Sequence, residues 1–284
     1  LEATQLFAKI KSFNLMKTIH FHKMVASGND FIVIDNRRKA VKGAVKLAQK
    51  LCAPHTSVGA DGVLLLENSR QAAFKMRIIN SDGSEAEACG NGFRCIALYA
   101  RKILKLPAEF RFESLSGLID AKVMANDCVR VRLIQPHDLR LSKDLTVAGS
   151  RMQYSFINTG VPHAVVFVKD LQKVNVAQLG KAVREHKDFK PKGTNVNFVW
   201  MRSHHAVDVR TFERGVEAET LACGTGSTAS AVVSALLGFT KPPVRVKTRG
   251  GEILTIDFKL EDNKPMDVTL QGQAKFVFAG QLTY

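Results

Sequence analysis

The apolar positions of this chain fall into short runs, each introduced by a polar turn. Ser27-Gly28-Asn29-Asp30-Phe31 precedes Ile32-Val33-Ile34, and Gly59-Ala60-Asp61-Gly62 opens Val63-Leu64-Leu65-Leu66. Thr159-Gly160-Val161-Pro162-His163 precedes Val165-Val166-Phe167-Val168, and Gly193-Thr194-Asn195 opens Val196-Asn197-Phe198-Val199-Trp200. Each reads as a turn entering a buried strand. Lys75 to Ile79, Val129 to Leu133, Val207 to Thr211 and Glu252 to Phe258 read as further short strands. Two stretches have another period. After Cys89-Gly90-Asn91-Gly92, residues Phe93, Ile96, Ala97, Ala100, Ile103 and Leu104 recur at helical spacing, with Arg94, Arg101 and Lys102 off that stripe and Pro107 as a stop. That pattern predicts a helix with one wet face. After Cys223-Gly224-Thr225-Gly226, the run from Ser227 to Leu237 is small or apolar all round, which predicts a fully buried helix capped by Gly238. The polar stretch Pro136 to Ser150 lacks a clear period and is expected to be a linker.

The landmarks repeat in order. From the first turn to the second is 31 residues in one half and 33 in the other, and from the second turn to the cysteine it is 30 in both. This spacing argues for an internal duplication of about 133 residues. The expected fold is α+β, in two pseudo-symmetric halves. Each half is a strand-rich sheet or barrel wrapped around a central helix, with the active site in the cleft between them. Residues 17–136 form the first half and 151–272 the second, while 1–15, ahead of Met16, are expected to be a leader or extension.

Composition narrows the function. The 284 residues are 45% hydrophobic and 24% charged, as in an ordinary globular protein, and no apolar run reaches the 18 or so residues of a membrane-spanning helix. The net charge of +15 raises nucleic acid as a partner. The charges are scattered, however, aromatic residues make up 7%, and no finger spacing or base-stacking signature is present. A basic surface would equally steer a small dicarboxylate. The five cysteines, Cys52, Cys89, Cys95, Cys128 and Cys223, form no CxxC pair, which fits reduced, cytoplasmic thiols and no metal site.

Two of those cysteines carry the chemistry. A cysteine just before Gly-x-Gly at a helix start meets unpaired backbone N–H groups and the positive end of the helix dipole, so its thiol is expected to ionise easily. The same N–H groups can seat a carboxylate. A pseudo-twofold axis would bring both thiols to one cleft with a tetrahedral carbon between them. One could remove a proton next to a carboxylate while the other delivers a proton to the opposite face. That is racemisation or epimerisation without a cofactor.

These motifs resemble the diaminopimelate epimerase family, which interconverts the LL and meso forms of 2,6-diaminopimelate. The likeness runs from Met16 onward. It rests on Phe21-x-Lys23-Met24, Gly28-Asn29-Asp30-Phe31, Asn80-x-Asp82-Gly83-Ser84, Cys89-Gly90-Asn91-Gly92-x-Arg94-Cys95, Pro162-His163, Gly193-Thr194-Asn195-x-Asn197, Glu213-Arg214-Gly215 and Thr220-x-x-Cys223-Gly224-Thr225-Gly226-Ser227. Proline racemases are less similar, because their first cysteine is followed by Gly-His. The resemblance implies that Cys89 and Cys223 are the acid/base pair, with His163 and Glu213 tuning protonation. It also implies that Gly90, Asn91, Gly224 and Thr225 hold the reacting carboxylate and that the Glu213 region holds the reacting ammonium. Asn29, Asn80, Asn195 and Arg214 would read the distal end of the substrate. The final strand, about 273–284, would return to the first half. The implied partner is a small amino-acid substrate, with no nucleic acid and no membrane, and a homodimer is left open.

The chain also departs from the pattern. Glu217-Ala218 stands where relatives have a single Gly, and Val161 and Gly62 replace an Asn and a Gln that help hold the distal end. These changes suggest a relaxed substrate range. The alternatives are a racemase of another amino acid such as glutamate or proline, a cysteine hydrolase using His163, or a duplicated binding protein; the last two leave the paired cysteines unexplained. Cys52, Cys95 and Cys128 are expected to be packing residues, and His204 and His205 surface imidazoles.

Overall fold

The computed structural model describes residues 18–147 and 149–283, so the segment 1–15, read as a leader, lies outside the described residues. The repeat is visible strand by strand. In the first half β1 (Thr18–Ala26), β2 (Asn29–Asp35), β3 (Gly62–Glu67), β4 (Lys75–Asn80), β5 (Glu85–Ala86), β6 (Glu109–Ser114), β7 (Gly117–Val123) and β8 (Cys128–Arg132) follow in chain order. In the second, β10 (Ser150–Asn158), β11 (Pro162–Phe167), β12 (Asn195–Ser203), β13 (Ala206–Glu213), β14 (Ala218–Thr220), β15 (Val244–Lys247), β16 (Ile253–Glu261) and β17 (Lys264–Gln273) repeat that order.

The pairings repeat as well. β2–β3 and β11–β12 are parallel, and so are β4–β6 and β13–β15, whereas β1–β2 and β10–β11 are antiparallel. The halves join through antiparallel β8–β17, where Val131 lies opposite Leu270.

Two edge strands complete the sheets. The last strand, β18 (Lys275–Thr283), pairs with β1. Its counterpart is β9 (His137–Val147), which pairs with β10. The stretch expected to be a linker is therefore the first strand of the second half. Its alternation, half-buried Leu139 and Leu141 and then buried Leu145 and Val147, is broken at Ser142, whose φ is 50°, and runs among charged residues at a sheet edge, which masks the period.

Among the described residues, four α-helices pack on this frame. The central pair, α2 (Gly90–Lys102) and α4 (Gly224–Leu236), are the helices that follow the two cysteines, and both lie in the largest apolar cluster, with Val33, Leu64, Leu66, Val129, Leu254 and Leu270. The outer pair, α1 (Ala44–Leu51) and α3 (Val176–Arg184), cover the opposite sheet faces. Strand β3 thus buries Leu64 and Leu66 toward α2 and Val63 and Leu65 toward α1, which explains its unbroken apolar run. The helix α4 is buried on nearly every side and ends at Gly238, whose φ of 76° suits a residue without Cβ.

One expectation about α2 fails. Arg94, placed on its wet face by the pattern, is fully buried, while Arg101 and Lys102 do face solvent.

Candidate active site

Cys89 and Cys223 are the N-caps of α2 and α4, in closely similar extended conformations. The Cys89 sulfur accepts from the Gly92 N–H at 3.4 Å, and the Cys223 sulfur from the Gly226 N–H at 3.3 Å. Cys223 Sγ also lies 3.4 Å from the Thr225 hydroxyl. The two helix starts face a common floor. A Cβ built on Gly90 would lie 3.8 Å from Leu270 Cδ1, and one on Gly224 would lie 3.2 Å from that same atom and 3.7 Å from Asn91 Oδ1. The glycines therefore keep the backbone N–H groups of both helices open to a ligand.

The thiols do not behave as the helix-end argument expected. Burial pushes the Cys223 thiol up to about 12, with the Glu213 carboxylate adding to the rise and the Thr225 and Gly226 donors opposing it. Dense surroundings raise Cys89 too, against the Gly92 and Asn91 N–H groups and the Arg94 charge. Desolvation of the thiolate outweighs the favourable helix start, so both groups favour the thiol form.

His163, on β11, is wholly buried. Burial, with the nearby Arg214 charge, pushes it down to about 3, so the ring is neutral. Asn197 assigns the tautomer. Its Oδ1 accepts from the Thr211 hydroxyl at 3.0 Å, while its Nδ2 donates to the Ala164 carbonyl at 3.0 Å and to His163 Nδ1 at 3.1 Å. The proton then sits on Nε2, a buried donor with no partner among the described residues. Glu213, at the end of β13, is raised by burial, and the Asp61 charge across the cleft adds to this.

The polar residues form one group in each half. In the first, Asn91 Nδ2 donates to Asn29 Oδ1, and Asn29 Nδ2 donates to Asp61 Oδ2 at 2.9 Å. Asn80 stands opposite Gly62 in the β3–β4 pairing and donates to the Ser84 hydroxyl at 2.9 Å. In the second, Asn195 donates to the Pro162 carbonyl at 3.0 Å and accepts from the Arg214 backbone N–H at 2.8 Å. The Arg214 guanidinium is anchored on the Lys192 carbonyl at 3.0 Å. The Thr159 hydroxyl donates to the Thr225 carbonyl at 3.0 Å, tying the β10–β11 turn to α4.

In the loop before Cys223, Glu217 takes a left-handed φ of 58° and pairs with Arg184 at 2.8 Å. Sequence reasoning gave no role to Asn197, Asp61 or Arg94. Asn197 had a signal, a carboxamide within an otherwise apolar strand.

The family model for diaminopimelate epimerase matches residues 21–134 and 155–277. The chain belongs to the diaminopimelate epimerase family. It is 49% identical to the diaminopimelate epimerase of Aquifex aeolicus, over 93% of this chain and 98% of that one. It is 42% identical to that of a Hydrogenobaculum species, over 92% and 98%. Among solved structures, a PhzF-family phenazine biosynthesis protein of Bacillus anthracis superposes with a TM-score of 0.72 at 17% identity, over 94% of this chain and 99% of that one. A hydroxyproline epimerase from Agrobacterium vitis gives 0.69 at 15%, over 94% and 92%. At such identities these two establish the shared two-half fold. Family membership makes the chain an isomerase of the epimerase type. No helix among the described residues is long and apolar enough to cross a membrane.

Proposed function

We propose that this protein interconverts LL- and meso-2,6-diaminopimelate by a two-thiol mechanism involving Cys89 and Cys223. The observation that carries the reading is the matched pair of cysteine N-caps, whose helix starts converge on Leu270. The substrate α-carboxylate sits on the N–H groups of Gly90, Asn91, Gly224 and Thr225, where both helix dipoles favour negative charge. Glu213 receives the reacting ammonium. That cation supplies the positive charge the buried thiols lack, and so favours ionisation of the one beside it.

The thiolate takes the α-proton, and the negative charge left on carbon and carboxylate is held by the helix-end donors. The opposing thiol then gives its proton to the other face, inverting the centre and becoming the thiolate. No external acid, base or oxidant is consumed. Neutral His163, fixed by Asn197, offers an uncharged N–H rather than a second acid.

Asn80, Asn195 and Arg214 hold the distal amino-acid end, Arg214 by a bidentate grip on its carboxylate. The shortened polar set at Val161 and Gly62 leaves room for other amino acids. The cell compartment is the cytoplasm, in keeping with free thiols.

The experiment is stereoisomer separation after incubating LL-diaminopimelate with the wild type, Cys89→Ser and Cys223→Ser under reducing conditions. The wild type forms the meso isomer and neither variant does. Near-normal turnover by one of the serine variants would overturn the two-thiol mechanism and favour a single-cysteine hydrolase or a one-base enzyme.

A further inference from the structure

Arg94 is the largest fully buried side chain among the described residues, and the roles assigned so far make no use of it. It lies on α2, five residues beyond Cys89. One nitrogen, Nη2, reaches three different parts of the site. It donates to the Ser27 hydroxyl in the β1–β2 turn and to Asn91 Oδ1 at 3.0 Å, and it lies 3.9 Å from Glu252 Oε1, at the start of β16 in the second half. Glycine makes the seat. A Cβ on Gly272 would fall 3.2 Å from Glu252 Oε1 and 3.3 Å from Arg94 Cζ, so a larger residue there would press on both partners.

A buried cation of this kind is costly to desolvate, and for stability alone an apolar side chain of the same volume would serve as well. What the charge contributes is direction. By accepting from Arg94, Asn91 Oδ1 is held on the side that approaches Gly224, which leaves Asn91 Nδ2 to bond Asn29. The start of α2 and the β1–β2 turn are thereby hydrogen-bonded to one guanidinium, which faces the Glu252 carboxylate of the second half at 3.9 Å.

We infer that Arg94, paired with Glu252 across the two halves, is a positioning residue that sets the start of α2, and with it Cys89, against the start of α4 and Cys223. Its action is through Asn91 and Glu252, without contact with the reacting carbon. The inference rests on the two-thiol reading above. In that mechanism the carbanion must be protonated by the thiol opposite the one that formed it, so the relative placement of the two sulfurs decides between inversion and return. When placement is lost, the carbanion is reprotonated more often from the face it came from, by a thiol that has exchanged with solvent.

The test follows LL-diaminopimelate in heavy water with wild type, Arg94→Met, Arg94→Lys, Glu252→Gln and Ser27→Ala. Two quantities are read early in turnover: meso product formed, and deuterium in recovered LL substrate. Their ratio is independent of the fraction of protein folded, so it separates positioning from simple destabilisation. In Arg94→Met and Glu252→Gln, inversion is expected to fall about 100-fold, the penalty of a misplacement of roughly 1 Å, with deuteration of recovered substrate rising at least about tenfold relative to product. Arg94→Lys, which keeps the charge toward Glu252, is expected to recover part of the ratio. Ser27→Ala, a mild change that removes one partner, is expected to move the ratio in the same direction and serves if the arginine variants do not fold. A wild-type ratio in every folded variant would overturn the inference while leaving the two-thiol mechanism intact. Failure of the wild type itself to form meso product would remove that mechanism and the inference with it.

Discussion

Lowering the pH should destabilise this protein through His163 in a way that can be calculated. The ring has its ordinary value of 6.5 in the unfolded chain and about 3 in the fold, where burial and the Arg214 charge oppose protonation. Between those values the unfolded state binds a proton that the folded state refuses. The stabilising contribution is therefore complete above pH 6.5 and is lost as pH falls through the window down to about 3. The slope is about 1.4 kcal/mol per pH unit, so a drop from pH 6.5 to 5 costs about 2 kcal/mol. That is a sizeable share of a typical folding free energy of about 5–15 kcal/mol. The perturbation is His163→Gln, which keeps a polar side chain beside Asn197 but cannot titrate. Urea unfolding of both proteins at pH 7 and pH 5 gives the comparison. The wild type should lose about 2 kcal/mol more than the variant. Glu213 has the opposite sign, since its raised value favours the fold at low pH and that benefit is lost as pH rises, but it is present in both proteins and cancels. Equal pH dependence in the two proteins would refute a neutral, desolvated His163.

Other outcomes follow from the same geometry. Burial raises both site thiols, so alkylation of Cys89 and Cys223 in the absence of added substrate, followed by mass spectrometry, should accelerate continuously past pH 9; a plateau near neutrality would contradict this. Gly226→Ala would place a Cβ 2.3 Å from Asn197 Oδ1 and dislodge the residue that holds His163, whereas the equivalent Gly92→Ala meets the flexible end of Met76 at 3.2 Å. The former should cost about 1–3 kcal/mol by thermal melting and about 100-fold in kcat, with the latter milder on both counts. Glutamate, aspartate and lysine incubated in heavy water should show slow α-deuteration above the Cys89→Ser background if the distal end is relaxed. No exchange with any of them would make the site strict.

Much of this architecture was legible because the duplication left matched landmarks in the chain. Turns and cysteines at nearly equal spacing gave the two halves, and the all-apolar run after Cys223 gave the buried helix α4. What escaped notice was polar or short. Strand β9 is an edge whose outward residues are mostly polar or charged and whose apolar alternation breaks between Leu141 and Leu145, so neither short piece stands out. The outer helices α1 and α3 have eight and nine residues, too few turns for the period to stand out among neighbouring strands. Arg94 was placed toward solvent because it falls off the apolar stripe of α2, and its partners Ser27 and Glu252 lie 67 and 158 positions away. The thiol argument failed for a related reason. The favourable helix end is local and visible in Cys-Gly-x-Gly, but the opposing desolvation comes from burial in the folded protein.

The central claim is that two thiols from separate helices serve one carbon from opposite faces. Its most direct test is the isotopic fate of LL-diaminopimelate in heavy water during the first few per cent of conversion. The account predicts meso product carrying one deuterium at the inverted carbon, recovered substrate that is essentially unlabelled, and no meso product from Cys89→Ser or Cys223→Ser. Meso product that retains its original proton at that carbon would mean that a single base takes and returns it, and would contradict the account.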